Sequence, residues 1–150
     1  MNLPTDLLHE VLLSAEKEYP RECCGFILRS KKTVETGFRH IRIRNVQDDL
    51  HAQDPASFPR TSRNAYAMDS AQLLQVNKDL REKDEEIYVI YHSHPDQDAF
   101  FSSEDQRLAL DDQDVPIYAN ALYLVVSVKL GKMADWKLFH WDHAGLEFKE

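Results

Sequence analysis

Three short apolar runs, Cys24–Arg29, Ile87–His92 and Ala121–Lys129, constrain this chain more than any other feature. None approaches the ~20 residues a membrane span needs. Each is bounded by turn or polar residues, so each reads as a strand buried inside a sheet. Phe38–Arg44 instead alternates apolar and basic residues, a half-buried strand whose wet side carries Arg39, Arg42 and Arg44. Ser30–Lys32 and Gly131 mark turns, and Trp136–Trp141 and Leu146–Phe148 read as closing strands.

Buried strands need cover. Pro4–Tyr19 places Leu7, Leu8, Val11, Leu12 and Ala15 at helical spacing, with Pro4 suited to a first turn and Pro20 as a stop. A second helix opens at Asp69 or Ser70 and shows Leu73, Leu74, Asn77 and Leu80 on one face. Ser102–Asp111 reads as a third, short helix. Between them, Asn45–Ala65 has little periodicity and carries Pro55 and Pro59. It reads as a loop of about 20 residues, a length that is usually functional or mobile, followed by a short strand at Tyr66–Met68. At 150 residues the chain is one domain by size. The element order predicts an α/β fold, a mixed β-sheet flanked by helices.

Composition narrows the partners. The formal net charge of −8 argues against nucleic acid, whose binders cluster Lys and Arg against phosphates. Nothing predicts a membrane partner. The first residues, MNLPTDLLHE, lack the basic region of a secretory signal. Cys23 and Cys24 are adjacent, so on a strand they face opposite ways, and a bridge between them would be strained. Two free thiols imply a reducing, cytoplasmic setting.

The chemistry concentrates in Tyr91–Gln106, YHSHPDQDAFFSSEDQ. His92 and His94 are two apart on a strand and therefore share a face. Pro95 ends that strand, which suggests a sheet edge open to solvent. Asp105 follows on the first turn of the third helix. Two imidazoles and a carboxylate suit zinc and leave a fourth position for water. The same residues have a structural reading, as hydrogen-bonded histidines beside a capping box in which Ser102 is the N-cap and Asp105 the acid three residues on. That box normally takes Glu or Gln, and the shorter Asp slightly favours another task.

His92-Ser93-His94, seven residues, Ser102, two residues, Asp105 resembles the signature of the JAMM, or MPN-plus, metalloproteases. Tyr19-Pro20-Arg21-Glu22-Cys23-Cys24-Gly25 is similar to the upstream segment carrying that family's glutamate. The likeness runs from the first helix to the strand at Ala121–Lys129, and only the loop at Asn45–Ala65 is longer than in compact members. It implies an MPN-like, cytidine-deaminase-like fold and one zinc on His92, His94 and Asp105. Glu22 would move the proton of the metal's water, and the metal and Ser102 would stabilise the oxyanion. Small bacterial members, which the chain resembles in its Glu-Cys-Cys-Gly segment, trim ubiquitin-like sulfur carriers after a C-terminal Gly-Gly. The implied substrate is such a carrier, its tail added to a sheet edge. Taken alone, Glu22 is a solvated charge at a helix end.

Other readings are a deconjugating isopeptidase that releases a ubiquitin-like modifier, or a non-catalytic scaffold of the kind that has lost its metal. The complete metal set argues against the scaffold. A DNA-repair-associated relative fits the acidic charge poorly. A zinc deaminase lacks its His-x-Glu and Pro-Cys-x-x-Cys pair. Cys23 and Cys24 have no base paired with them in sequence, His140 and His143 suit a wet strand end, and Tyr66, Trp136 and Trp141 read as packing.

Overall fold

The computed structural model describes residues 3–150. In chain order the elements are α1 (Thr5–Glu18), β1 (Cys24–Ser30), β2 (Phe38–Ile43), α2 (Gln47–Gln53), α3 (Ser70–Glu82), β3 (Glu85–Pro95), α4 (Ser103–Ala109), β4 (Leu122–Lys129), β5 (Lys132–Asp142) and β6 (Glu147–Lys149). The six strands form one sheet in the order β2-β1-β3-β4-β5-β6. Only β3 and β4 run parallel, joined through α4, and the other pairs are antiparallel. The expected mixed α/β sheet with helical cover is what the chain forms.

Two apolar layers sandwich the sheet. On one side Val11 and Ala15 of α1 pack on Ile27, Val89, Tyr91, Leu124 and Val126. On the other, Val76 of α3 and Ala109 of α4 pack with Phe26, Leu28, Ile90, Tyr123 and Val125. Cys23 and Cys24 fall on opposite sides, both buried and both free. At Gly25 a Cβ would run into Ile41 O and the Tyr91 hydroxyl, so close strand packing requires glycine there. The three arginines of the basic strand region are all ion-paired, Arg39 to Asp79 and Glu85, Arg42 to Glu18, and Arg44 to Asp49.

Several expectations are corrected. Pro95 does not mark a sheet edge. β3 lies between β1 and β4, and its parallel register with β4 runs through Pro95↔Val128. A proline at the last residue of a strand is tolerated, and pairing resumes at once with Asp96 N donating to Val128 O at 2.7 Å. The segment 45–65 is no bare loop, because it contains α2. The helix QDDLHAQ has only Leu50 and Ala52 as apolar residues and hence no stripe to read. Tertiary bonds hold it instead: Gln47 Nε2 donates to Arg60 O at 2.9 Å, and Asp48 accepts from Ser62 N and Oγ at 2.7 and 2.6 Å. The Tyr66–Met68 strand reduces to one bridge, Asn45↔Met68. Asp69 caps α3 as expected, but the packed face is Leu73, Val76 and Leu80, with Leu74 72% exposed.

Candidate active site

Strand geometry sets the site. Ile90, in the α3/α4-side core, fixes the side to which His92 and His94 also point, two and four residues on. Antiparallel register pairs Cys24 with His92, and Ser93 N donates to Cys23 O at 3.1 Å. Two residues back from Cys24, Glu22 thus comes beside His94 on the same face. A carboxylate oxygen of Glu22 and one ring nitrogen from each histidine lie within 4.8 Å of one another.

The fourth group arrives with α4. Ser102 Oγ accepts from Asp105 N at 3.1 Å while Asp105 Oδ2 accepts from Ser102 N at 2.9 Å, so the capping box is fully formed. The same Asp105 carboxylate meets His92 Nε2 at 3.1 Å through Oδ1 and His94 Nε2 at 3.3 Å through Oδ2. The two imidazole Nε2 atoms are 3.1 Å apart. One Asp105 carboxylate thus serves both the helix cap and the histidine pair. Glu22, His92, His94 and Asp105 are each less than a tenth exposed.

Their surroundings separate the two carboxyls. Desolvation pushes Glu22 up to about 8, with His94 and Arg60 pulling against it. Burial would also raise Asp105, but hydrogen bonding to His92 and His94 holds it well below the usual carboxylate range. Burial lowers His92 despite Asp105. His94 is also desolvated, yet its contacts with Asp105 and the Asp98 carbonyl leave it above the ordinary histidine value. The group opens into a cleft of about 800 Å³ between segments 57–67 and 94–108. β3 is flanked on both sides and the sheet edges are β2 and β6, so a tail entering beside the histidines cannot pair with β3 as the expected strand addition would.

A family comparison decides what kind of domain carries this site. The family described as prokaryotic homologs of the JAB domain matches residues 4–140. This chain belongs to that family. It is also 28% identical over 124 residues to proteins named CysO-cysteine peptidase in Mycobacterium bovis and Mycobacterium tuberculosis, spanning 83% of this chain and 70% of theirs. The solution structure of a Desulfitobacterium hafniense protein matches with a TM-score of 0.63 at 26% identity, covering 97% of this chain and 87% of that one. A Salinibacter ruber protein matches in fold with a TM-score of 0.60 at 24% identity, covering 99% and 87%.

Around the JAB-domain site stand residues that sequence reading assigned elsewhere or passed over. Tyr66, expected only to pack, stacks on His92 with ring centroids 4.9 Å apart and also lines the cleft. Phe100 sets its ring against His94 at 5.0 Å. Asn45 knits the approach to Glu22: its Nδ2 donates to Glu22 O and Ala65 O at 3.0 and 3.1 Å, and its Oδ1 accepts from Gln47 N and Ala67 N, both at 3.0 Å. Most of these contacts join segments about 20 or more residues apart, which no local pattern announces; the Phe100–His94 contact and the bond to Gln47 are the nearer ones. Trp136 remains surface and Trp141 packs on Phe148.

Proposed function

We propose that this JAB-domain chain, as one domain over residues 1–150, is a zinc-dependent peptidase. Its proposed reaction is hydrolysis after the C-terminal Gly-Gly of a ubiquitin-like protein, a sulfur carrier in the first place. One observation carries the reading: two imidazole Nε2 atoms and the Asp105 carboxylate gather within 3.3 Å, with Glu22 in reach. The name borne by the mycobacterial relatives supports the peptidase class.

Counting protons tests whether these residues fit a cation. His94 Nδ1 lies 3.0 Å from the Asp98 carbonyl, which only accepts, so Nδ1 carries the hydrogen and Nε2 of the neutral ring is a lone pair. That lone pair faces His92 Nε2 and Asp105 Oδ2. The His94 lone pair and the Asp105 carboxylate held so close repel one another unless a proton or a cation lies between them, and two imidazoles with one carboxylate form a zinc donor set. His92, His94 and Asp105 would hold the ion. When bound, zinc supplies Lewis acidity, polarising a carbonyl and bringing the pKa of water down to roughly 7.

The chain's own groups then divide the work. Two carboxyls whose surroundings drive their proton affinities apart mark themselves as acid/base and charge-holding partners. Glu22, raised to about 8, is the group suited to exchange a proton near neutrality. It takes a proton from the water that adds to the scissile carbonyl and returns it to the nitrogen as the C–N bond breaks, leaving a glycine carboxylate and a free amine. Ser102 Oγ uses a lone pair to accept from Asp105 N. Its hydroxyl proton stays available to the carbonyl oxygen as negative charge builds there. The tail lies in the cleft, where an extended Gly-Gly admits close approach of backbone to the site.

Zinc-loaded protein is to be incubated with a ubiquitin-like carrier extended past its Gly-Gly, and the products weighed by mass spectrometry. The expected result is one cut, after the second glycine, that a Gly→Ala change at that position abolishes. Cuts at scattered bonds, or equal cleavage of the alanine tail, would overturn the reading in favour of a general peptidase.

A further inference from the structure

The wall of the cleft runs against the charge of the chain. Of nine arginines in the sequence, six pair with carboxylates: Arg21, Arg29, Arg39, Arg42, Arg44 and Arg107. Among the described residues Arg60, Arg63 and Arg81 have no carboxylate within 4.0 Å, and Arg60 and Arg63 both line the cleft that holds Glu22 and His94. In a chain with an excess of eight acids, two unpaired guanidinium groups beside one site call for a partner from outside.

The backbone carrying Arg60 is held in place. Phe58 O lies 2.7 Å from His51 Nδ1, and Arg60 O accepts from the buried Gln47 at 2.9 Å. Ser62 is bound to Asp48, and its carbonyl accepts from Glu22 N at 2.6 Å. Every second residue from 58 to 62 is thus tied to α2 or to Glu22 itself. The Arg60 guanidinium makes a single long contact, Nη1 to Asn64 O at 3.4 Å. Its charge bears on Glu22 and Glu104, whereas that of Arg63 bears on Tyr19 and Asp96, which do not line the cleft.

We infer that Arg60 is a specificity-determining residue that takes the free α-carboxylate of the short tail released beyond the scissile bond. The inference rests on the peptidase reading and deepens it. A guanidinium fork matches a carboxylate in two parallel hydrogen bonds. A tail of one or two residues ends in such a group, whereas a modifier joined to a lysine side chain continues as amide bonds in both directions. Arg60 therefore selects carboxyl-terminal trimming over release of a modifier from a target protein. The pinned backbone fixes where the side chain starts, so only the Arg60 side chain itself has to be ordered on binding.

The test compares two carriers, identical but for one residue after Gly-Gly that ends as a free acid or as an α-amide. Charge-assisted hydrogen bonds place the expected preference of the wild-type enzyme for the acid, in kcat/KM, on the order of 10–100-fold. Arg60→Gln should bring the ratio near one, since any effect through Glu22 falls on the acid and the amide alike, and Arg63→Gln should keep the preference. A parallel measurement without turnover uses calorimetry of both tails on Glu22→Gln protein, with and without Arg60→Gln, and the acid should bind more tightly only where Arg60 is present. Equal handling of acid and amide by the wild type, or a preference that survives Arg60→Gln, overturns the assignment. Acid-selective binding that depends on Arg60, without cleavage of either carrier, supports the carboxylate site and sinks the peptidase reading.

Discussion

Glu22 and Asp105 are both buried carboxyls a few ångströms from the same histidines, yet one is driven up to about 8 and the other far down. The difference is contact. Asp105 meets both imidazoles and the Ser102 amide, while Glu22 is chiefly desolvated. Glu22→Gln keeps the size and shape of the side chain but cannot take a proton. Turnover should fall on the order of 10²–10⁴-fold with zinc content and melting temperature near wild type. Substantial turnover in the zinc-loaded variant would remove Glu22 from the reaction. Ser102→Ala removes two things at once, because the same Oγ caps α4 and keeps its proton for the substrate. It should cost about 1 kcal/mol in denaturant unfolding and on the order of 10²–10³ in turnover. A stability loss with unchanged turnover well below the melting range would leave Ser102 as a cap alone. Of these residues, the histidine spacing and the Ser102–Asp105 box were legible because both are local patterns. Glu22 was legible only as part of the whole family pattern, since its neighbour His94 is 72 positions away.

The central position of β3 governs what the surrounding elements do. β1 and β4 lock its two sides, so its histidines are reached from the strand's C-terminal end, beside α4 and the segment that follows α2. That segment is fastened through Asn45, whose side chain makes four hydrogen bonds, one of them to Glu22 O. Asn45→Ala should cost about 2–4 kcal/mol, since each bond is worth about 1 kcal/mol net and the backbone partners are part-buried. Amide hydrogen exchange should rise in residues 45–67, and turnover should drop with it. A variant with wild-type exchange in that segment would show that Asn45 fastens nothing. The same reasoning explains why α2 escaped a reading by periodicity. Its stability comes from Arg60, Ser62 and Asn45, residues that no stripe within QDDLHAQ can report. On α3 the helical spacing was legible, but choosing between Leu74 and Val76 required knowing how the helix is rolled against β3.

At the level of the whole molecule, the proposed zinc sits where the sheet, α4 and the entry to β1 converge, so losing it should be felt by the entire fold. Without a cation the two Nε2 atoms and Asp105 face one another in a buried site. A ligand that binds only the folded state stabilises it by about 2.7 kcal/mol at a free concentration one hundred times its Kd. Chelation should therefore lower the melting temperature, and added zinc should restore it. His92→Ala should abolish both the response and the zinc that co-purifies with the protein, measured by elemental analysis. Equal zinc in wild type and His92→Ala would dismiss His92 as a ligand. The sequence by itself determined the mixed α/β class, the helices at either end of the first half, and the pairing of His92 with His94 on one face. These follow from periods of 2 and 3.6 residues, which any stretch of chain expresses locally. Only the tertiary structure decided that β3 is central rather than an edge, that Tyr66 stacks on His92, that Glu22 stands opposite His94, and that Arg60 looks into the cleft unpaired. Each depends on strand order and register between segments far apart in sequence, and a one-residue slip of register would turn every such side chain to the other face.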